Sequence, residues 1–127
     1  MLKYFTKLIS AVILVSFFGN SIGFAGNMTV VYIGAKNCPN CRKYEANDEQ
    51  NFVKALKSKK TSYKTVMVES FADISQEADY PKELKFIPKE GQLSRGTPHF
   101  VLLDGKNIIL SVKGYDYANH EIMQTLN

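Results

Sequence analysis

Residues 28–41, MTVVYIGAKNCPNC, decide how this chain reads, because a β-branched and aromatic run ends in Gly34 and leads into Cys38 and Cys41, the only 2 cysteines of 127 residues. The run from Met28 to Gly34 predicts a buried strand. The cysteines then stand where strand gives way to helix. A disulfide between them closes a very short loop, and loop-closure stabilisation shrinks with the loop, so the pair suits reversible chemistry better than holding a fold together. With Cys38 at or just before the first helical turn, unpaired N–H groups and the positive helix end favour its thiolate, and Cys41 follows one turn later, within bonding reach. Cys38 is therefore the expected attacking sulfur and Cys41 the resolving one. Pro39 suits the first helical position, where its missing N–H has no partner to lose. Lys36, Arg42 and Lys43 flank the pair, and Lys36 is expected to help lower the thiol's pKa.

Outward from the cysteines, the pattern turns helical, with Tyr44, Phe52, Val53 and Leu56 near one face and a bend expected at Asn47-Asp48. Ser62 to Glu69 alternates polar and apolar residues and predicts a second strand, and a helical crossover between two strands predicts parallel pairing in a βαβ unit. Ser70 to Gly96 is irregular, with Pro81, Pro88 and scattered apolar residues, and is expected to hold one short helix and an ordered loop bordering the cysteines. His99 to Leu103 and Asn107 to Lys113 flank Asp104-Gly105, which predicts an antiparallel hairpin. A final helix capped by Asp116 follows, buried through Ala118, Ile122, Met123 and Leu126.

Composition bounds the function. A chain of 14.3 kDa with 45% apolar residues has room for one domain with a packed core. Residues 1–25 read as a signal peptide rather than part of that core: Lys3 and Lys7 start it, Leu8 to Phe18 is apolar, and Gly23-Phe24-Ala25 offers a cleavage site after Ala25. Residues 26–127 are then the folded domain. An uncleaved segment would make the only membrane contact, although its apolar run is about half the roughly 20 residues a spanning helix needs. Export sets the localisation as periplasmic or secreted, where a dithiol persists as a disulfide unless a partner reduces it. Without residues 1–25 the charge is near balance, at 14 basic against 12 acidic residues. That balance excludes a nucleic-acid partner, and Lys57, Lys59 and Lys60 fall where a helix end uses them.

Strand, cysteine pair, helix, strand, variable segment, Thr97-Pro98, hairpin and helix together resemble the thioredoxin fold over residues 28–127. The resemblance implies an α/β domain with a central four-stranded mixed sheet, βαβ then ββα, flanked by helices. Two separated marks carry it: the Cys38-Pro39-Asn40-Cys41 motif, and Pro98 in Gly96-Thr97-Pro98-His99-Phe100, which stands where family members place a cis-proline beside the cysteines. By resemblance Pro98 packs near the sulfurs and Thr97 offers its backbone to an extended substrate segment, with Pro39 and Asn40 on the same substrate-facing surface. Asn37 replaces the tryptophan that precedes the motif in thioredoxins, and Tyr32 falls near the position of their buried acid. Cys38-Pro39 is similar to the glutaredoxins and periplasmic disulfide-bond proteins, and Thr97 to the disulfide isomerases.

The implied activity is that of an exported thiol–disulfide oxidoreductase exchanging disulfides with protein substrates and with a redox partner protein. The resemblance implies no cofactor beyond the redox-active Cys38–Cys41 disulfide, and no metal. Two other classes stay open: a copper-type metal carrier using Cys38, Cys41, His99 and His120, and a non-enzymatic adaptor on the same fold. Tyr115 and Tyr117, flanking Asp116, are expected to close the core.

Overall fold

The computed structural model describes residues 27–127 apart from 92 and 94. The expected signal peptide, residues 1–25, lies outside the described residues. Among the described residues the strands are β1 (Met28–Ala35), β2 (Ser62–Val68), β3 (His99–Asp104) and β4 (Asn107–Lys113). The helices are α1 (Pro39–Asn47), α2 (Glu49–Ser58), α3 (Phe86–Glu90) and α4 (Tyr115–Leu126), with 3-10 turns at Glu77–Asp79 and Lys82–Leu84. The chain is thus α/β around a four-stranded mixed sheet of order β2-β1-β3-β4.

The pairing follows from the connections. β1 and β2 are parallel, joined by the α1-α2 crossover, whereas β1–β3 and β3–β4 are antiparallel. Gly105, at φ 59°, supplies the left-handed residue that the tight β3–β4 turn requires. The apolar strands β1 and β3 take the two central places, and β2 and β4, with polar residues at alternate positions, form the edges.

Alternation divides the core in two. Tyr32 is registered with Phe100 on one face and Ile33 with His99 on the other. The Tyr32 face lies under the helices, where Tyr32, Tyr44, Phe52, Phe100 and Tyr115 make a cluster of tilted and edge-on rings with centroids 4.7–6.5 Å apart. The chain between β2 and β3 buries Ile74, Tyr80, Leu84 and Ile87. Gly91, just past α3, lies against Ile108 of β4, which is registered with Leu103 and so belongs to the His99 face.

Three expectations are corrected. The helix after the cysteines breaks at Asp48 into α1 and α2 rather than merely bending; Asp48 still donates its N–H to the Tyr44 carbonyl at 2.8 Å, so the axis is interrupted for a single residue. Helix α4 begins at Tyr115 with Gly114, at φ 88°, in the capping place, while Asp116 sits in the first turn, where its carboxylate complements the helix dipole. Gly114 turns the chain straight out of β4 and donates its N–H to the Pro98 carbonyl at 2.8 Å, which starts the helix early. The irregular segment holds two 3-10 turns as well as α3, and Pro88 is tolerated inside α3 because first-turn N–H groups have no helical partner.

Candidate functional site: a disulfide at a helix cap

The buried strand β1 ends at Ala35, and Lys36-Asn37 carries the chain to Cys38, which occupies the N-cap position of α1 in extended conformation, φ −111° and ψ 104°. Its Sγ accepts a hydrogen bond from the Cys41 N–H at 3.1 Å. A sulfur therefore stands where a Ser, Thr or Asp oxygen usually satisfies an orphan amide of the first turn. As a thiolate it would receive that bond with charge assistance, at the positive end of a helix whose first turn carries no acid to oppose it. Cys38 and Cys41 are joined as a disulfide. Cys41 is fully buried and Cys38 retains 4% exposure, so the small accessible part of the pair belongs to the capping residue. Pro39 and Asn40 between them are exposed.

The sheet brings the second motif to the same edge. Ile33 is registered with His99 in the antiparallel β1–β3 pair, and one further step sets Pro98 beside Gly34, at the end of β1 from which the cysteine loop departs. Pro98 is buried, and the Thr97-Pro98 peptide is cis. Asn40 and Pro98 line a common open hollow of about 250 Å³ together with Lys43, Tyr115 and Asp116. Thr97 has its hydroxyl buried without a hydrogen-bond partner among the described residues.

The flanking cations are engaged. Lys36 pairs with Glu69, which also raises its pKa through their hydrogen bond. Arg42 reaches back to the Ala35 carbonyl at 3.1 Å and pairs with Glu45 at 2.8 Å, bracing α1 against β1. Glu69 lies 33 residues from Lys36 in the chain, so no local pattern announces the pairing. Lys43 remains on the rim of the hollow.

The contacts of Asn37, placed before the motif in the sequence, are what sequence reasoning missed. Its Oδ1 accepts the Phe71 N–H at 3.0 Å and its Nδ2 donates to Ser70 Oγ at 3.3 Å, while the Phe71 carbonyl accepts the Gly96 N–H at 3.2 Å. The start of the irregular segment, Ser70-Phe71, is thus tied both to the residue before Cys38 and to Gly96, where the segment ends before Thr97. It borders the site, as expected, but it also supplies core residues.

The histidines part company. His99 is buried on β3 with Nε2 bonded to Ser111 Oγ at 2.7 Å, and burial, aided by the Lys113 charge, lowers its pKa to about 4. His120 is exposed on α4. Among the described residues no three His, Cys, Asp or Glu side chains gather as a metal-ligand set. Tyr115 packs in the aromatic cluster, whereas Tyr117, expected to close the core, is 61% exposed because it falls on the outer face of α4. Compared with protein-family models and with curated proteins, the chain matches none.

Proposed function

We propose that this chain is an exported thiol–disulfide oxidoreductase of the thioredoxin-like fold, acting on cysteines of protein substrates in a periplasmic or secreted setting. The observation that carries the reading is the Cys38–Cys41 disulfide with Cys38 capping α1, since that position stabilises the thiolate needed for attack. The order β2-β1-β3-β4, with its βαβ and ββα halves, and the register that sets Pro98 beside the end of β1 agree with the fold that the motifs resemble.

In the reducing direction the Cys38 thiolate attacks a substrate disulfide, forming a Cys38–substrate bond and releasing one substrate sulfur as a thiolate that takes up a proton. Cys41, losing its proton, attacks Cys38 Sγ and releases the second substrate sulfur. Two electrons pass from the pair to the substrate, whose two sulfurs leave as thiols with the proton of Cys41 and the one that Cys38 had released to solvent on ionising. The reverse sequence oxidises a substrate dithiol. Pro98 and the Thr97 backbone shape the groove that receives the substrate, with Pro39 and Asn40 at its rim. A dithiol or disulfide protein closes the cycle as redox partner. Thiolate stabilisation comes first from the cap and helix end, with Lys36 acting through its pair with Glu69 as a minor influence.

The test is turnover of hydroxyethyl disulfide and of a disulfide-bonded protein with dithiothreitol as electron donor. Wild type is expected to turn over both, Cys38→Ser neither, and Cys41→Ser to accumulate a mixed disulfide at Cys38, visible on a non-reducing gel. Exchange that survives in Cys38→Ser overturns the reading.

A further inference from the structure

Phe71 combines exposure with fixed placement. The residue is 46% exposed, while its backbone is held at both polar atoms: the N–H by Asn37, which precedes Cys38, and the carbonyl by Gly96, which precedes Thr97-Pro98. The backbone beneath this exposed ring is already fixed, so burial of the ring by a partner costs only the remaining side-chain entropy. The other exposed large apolar side chains among the described residues, Ile109 and Tyr117, stand on β4 and α4. Phe71 alone of the three is one hydrogen bond from the cysteine loop.

Gly96 also places a charge there. At φ 110° its backbone runs directly beneath the Lys113 side chain: a Cβ added to Gly96 would lie 2.8 Å from Lys113 Cδ and 3.4 Å from Nζ. The Lys113 ammonium makes no ion pair with any described residue, in contrast to Lys36, which Glu69 neutralises. One glycine thus touches the Phe71 backbone through its N–H and the Lys113 side chain across its surface, one residue before Thr97-Pro98.

We infer that Phe71 and Lys113 form a substrate-selecting surface beside the disulfide, and that its occupant is an extended cysteine-bearing segment carrying an apolar side chain and a carboxylate near the cysteine. The inference rests on the proposed exchange reaction and adds to it a preference among protein substrates. Phe71 covers the apolar side chain, and Lys113 meets the carboxylate with a charge that has no ion-pair partner among the described residues. Neither residue touches the reacting sulfurs in this arrangement; both position the segment.

The experiment compares three fluorescein-labelled peptides with an intramolecular disulfide, bearing Leu and Asp, Ala and Asn, or Leu and Lys beside one cysteine. Their reduction by wild type, Phe71→Ala and Lys113→Gln is followed with hydroxyethyl disulfide as an uncharged small control, and their binding by anisotropy. Wild type is expected to prefer the Leu/Asp peptide. Phe71→Ala should lose about tenfold in kcat/KM and in affinity on both Leu peptides, and Lys113→Gln about threefold on Leu/Asp alone, with hydroxyethyl disulfide unchanged. Equal affinities of the three peptides for wild type, or Phe71→Ala losses as large on hydroxyethyl disulfide as on peptides, overturn the inference. Peptide selectivity in binding without turnover of any disulfide overturns the exchange reaction instead, and leaves the surface assigned.

Discussion

At the scale of single residues, Gly34 shows how closely the end of β1 is fitted. A Cβ there would meet the Tyr32 hydroxyl at 2.5 Å and Tyr32 Cζ at 2.8 Å, because the Tyr32 side chain runs along the strand over the glycine. Tyr32 is wholly buried within the ring cluster and has no room to withdraw. Gly34→Ala is therefore expected to cost about 2–3 kcal/mol by overpacking, read as a lower urea midpoint at unchanged slope. The Tyr32 hydroxyl finds no partner of hydrogen-bond geometry among the described residues, although the Arg42 charge is near enough to act on its titration, and burial raises its pKa. Tyr32→Phe should thus be close to neutral, within about 1 kcal/mol, and in combination with Gly34→Ala should recover part of the loss. Additive effects in that double variant would mean the hydroxyl is not what excludes the methyl group. The strand was legible in the sequence as a β-branched run. The role of its glycine was not, because it depends on a side-chain direction that spacing alone leaves open.

At the scale of elements, the cysteine loop, the irregular segment and the Gly96-Thr97-Pro98 turn act as three strands of backbone tied at Asn37 and Phe71. Asn37→Ala removes two side-chain hydrogen bonds, so it should speed amide hydrogen exchange at Phe71 about tenfold while costing about 1 kcal/mol of global stability. Unchanged exchange at Phe71 would show that the segment is held by its buried apolar residues alone. Local signals made the elements readable: the Asp104-Gly105 turn, the apolar alternation of β2 and the proline after Cys38. Helix α4 was readable in extent but not in its first residue, since the deciding contact, Gly114 N–H to the Pro98 carbonyl, joins residues far apart in the chain. The same holds for Lys36, whose sequence neighbours Ala35 and Asn37 are uncharged and whose spatial neighbour is Glu69.

At the scale of the whole molecule, connection lengths and turn chemistry made the parallel β1–β2 pair and the β3–β4 hairpin legible, whereas the central β1–β3 pairing that joins them rested on the resemblance. Face assignments were legible only where both neighbours of a strand were known. His99 is the instructive case, a polar residue enclosed on a central strand with Nδ1 unpartnered among the described residues. Its pKa falls to about 4 in the folded chain from an ordinary 6.5, first through burial and then through Lys113. Between those values the unfolded chain binds more protons than the folded one, so stability rises with pH there, and the contribution is complete above about pH 6.5 and lost as pH falls toward 4. The loss is expected to reach about 3 kcal/mol at full effect. Urea titrations of wild type and His99→Gln at pH 7 and pH 4.5 should show a steeper fall for wild type, and parallel falls would assign the acid sensitivity to other groups. The cap of α1 carries a different kind of consequence. Because the amide of Cys41 points at Cys38 Sγ, it reads the electron density on that sulfur directly. Its nitrogen and proton resonances become a gauge of the oxidation and alkylation state of Cys38, carried by the backbone itself.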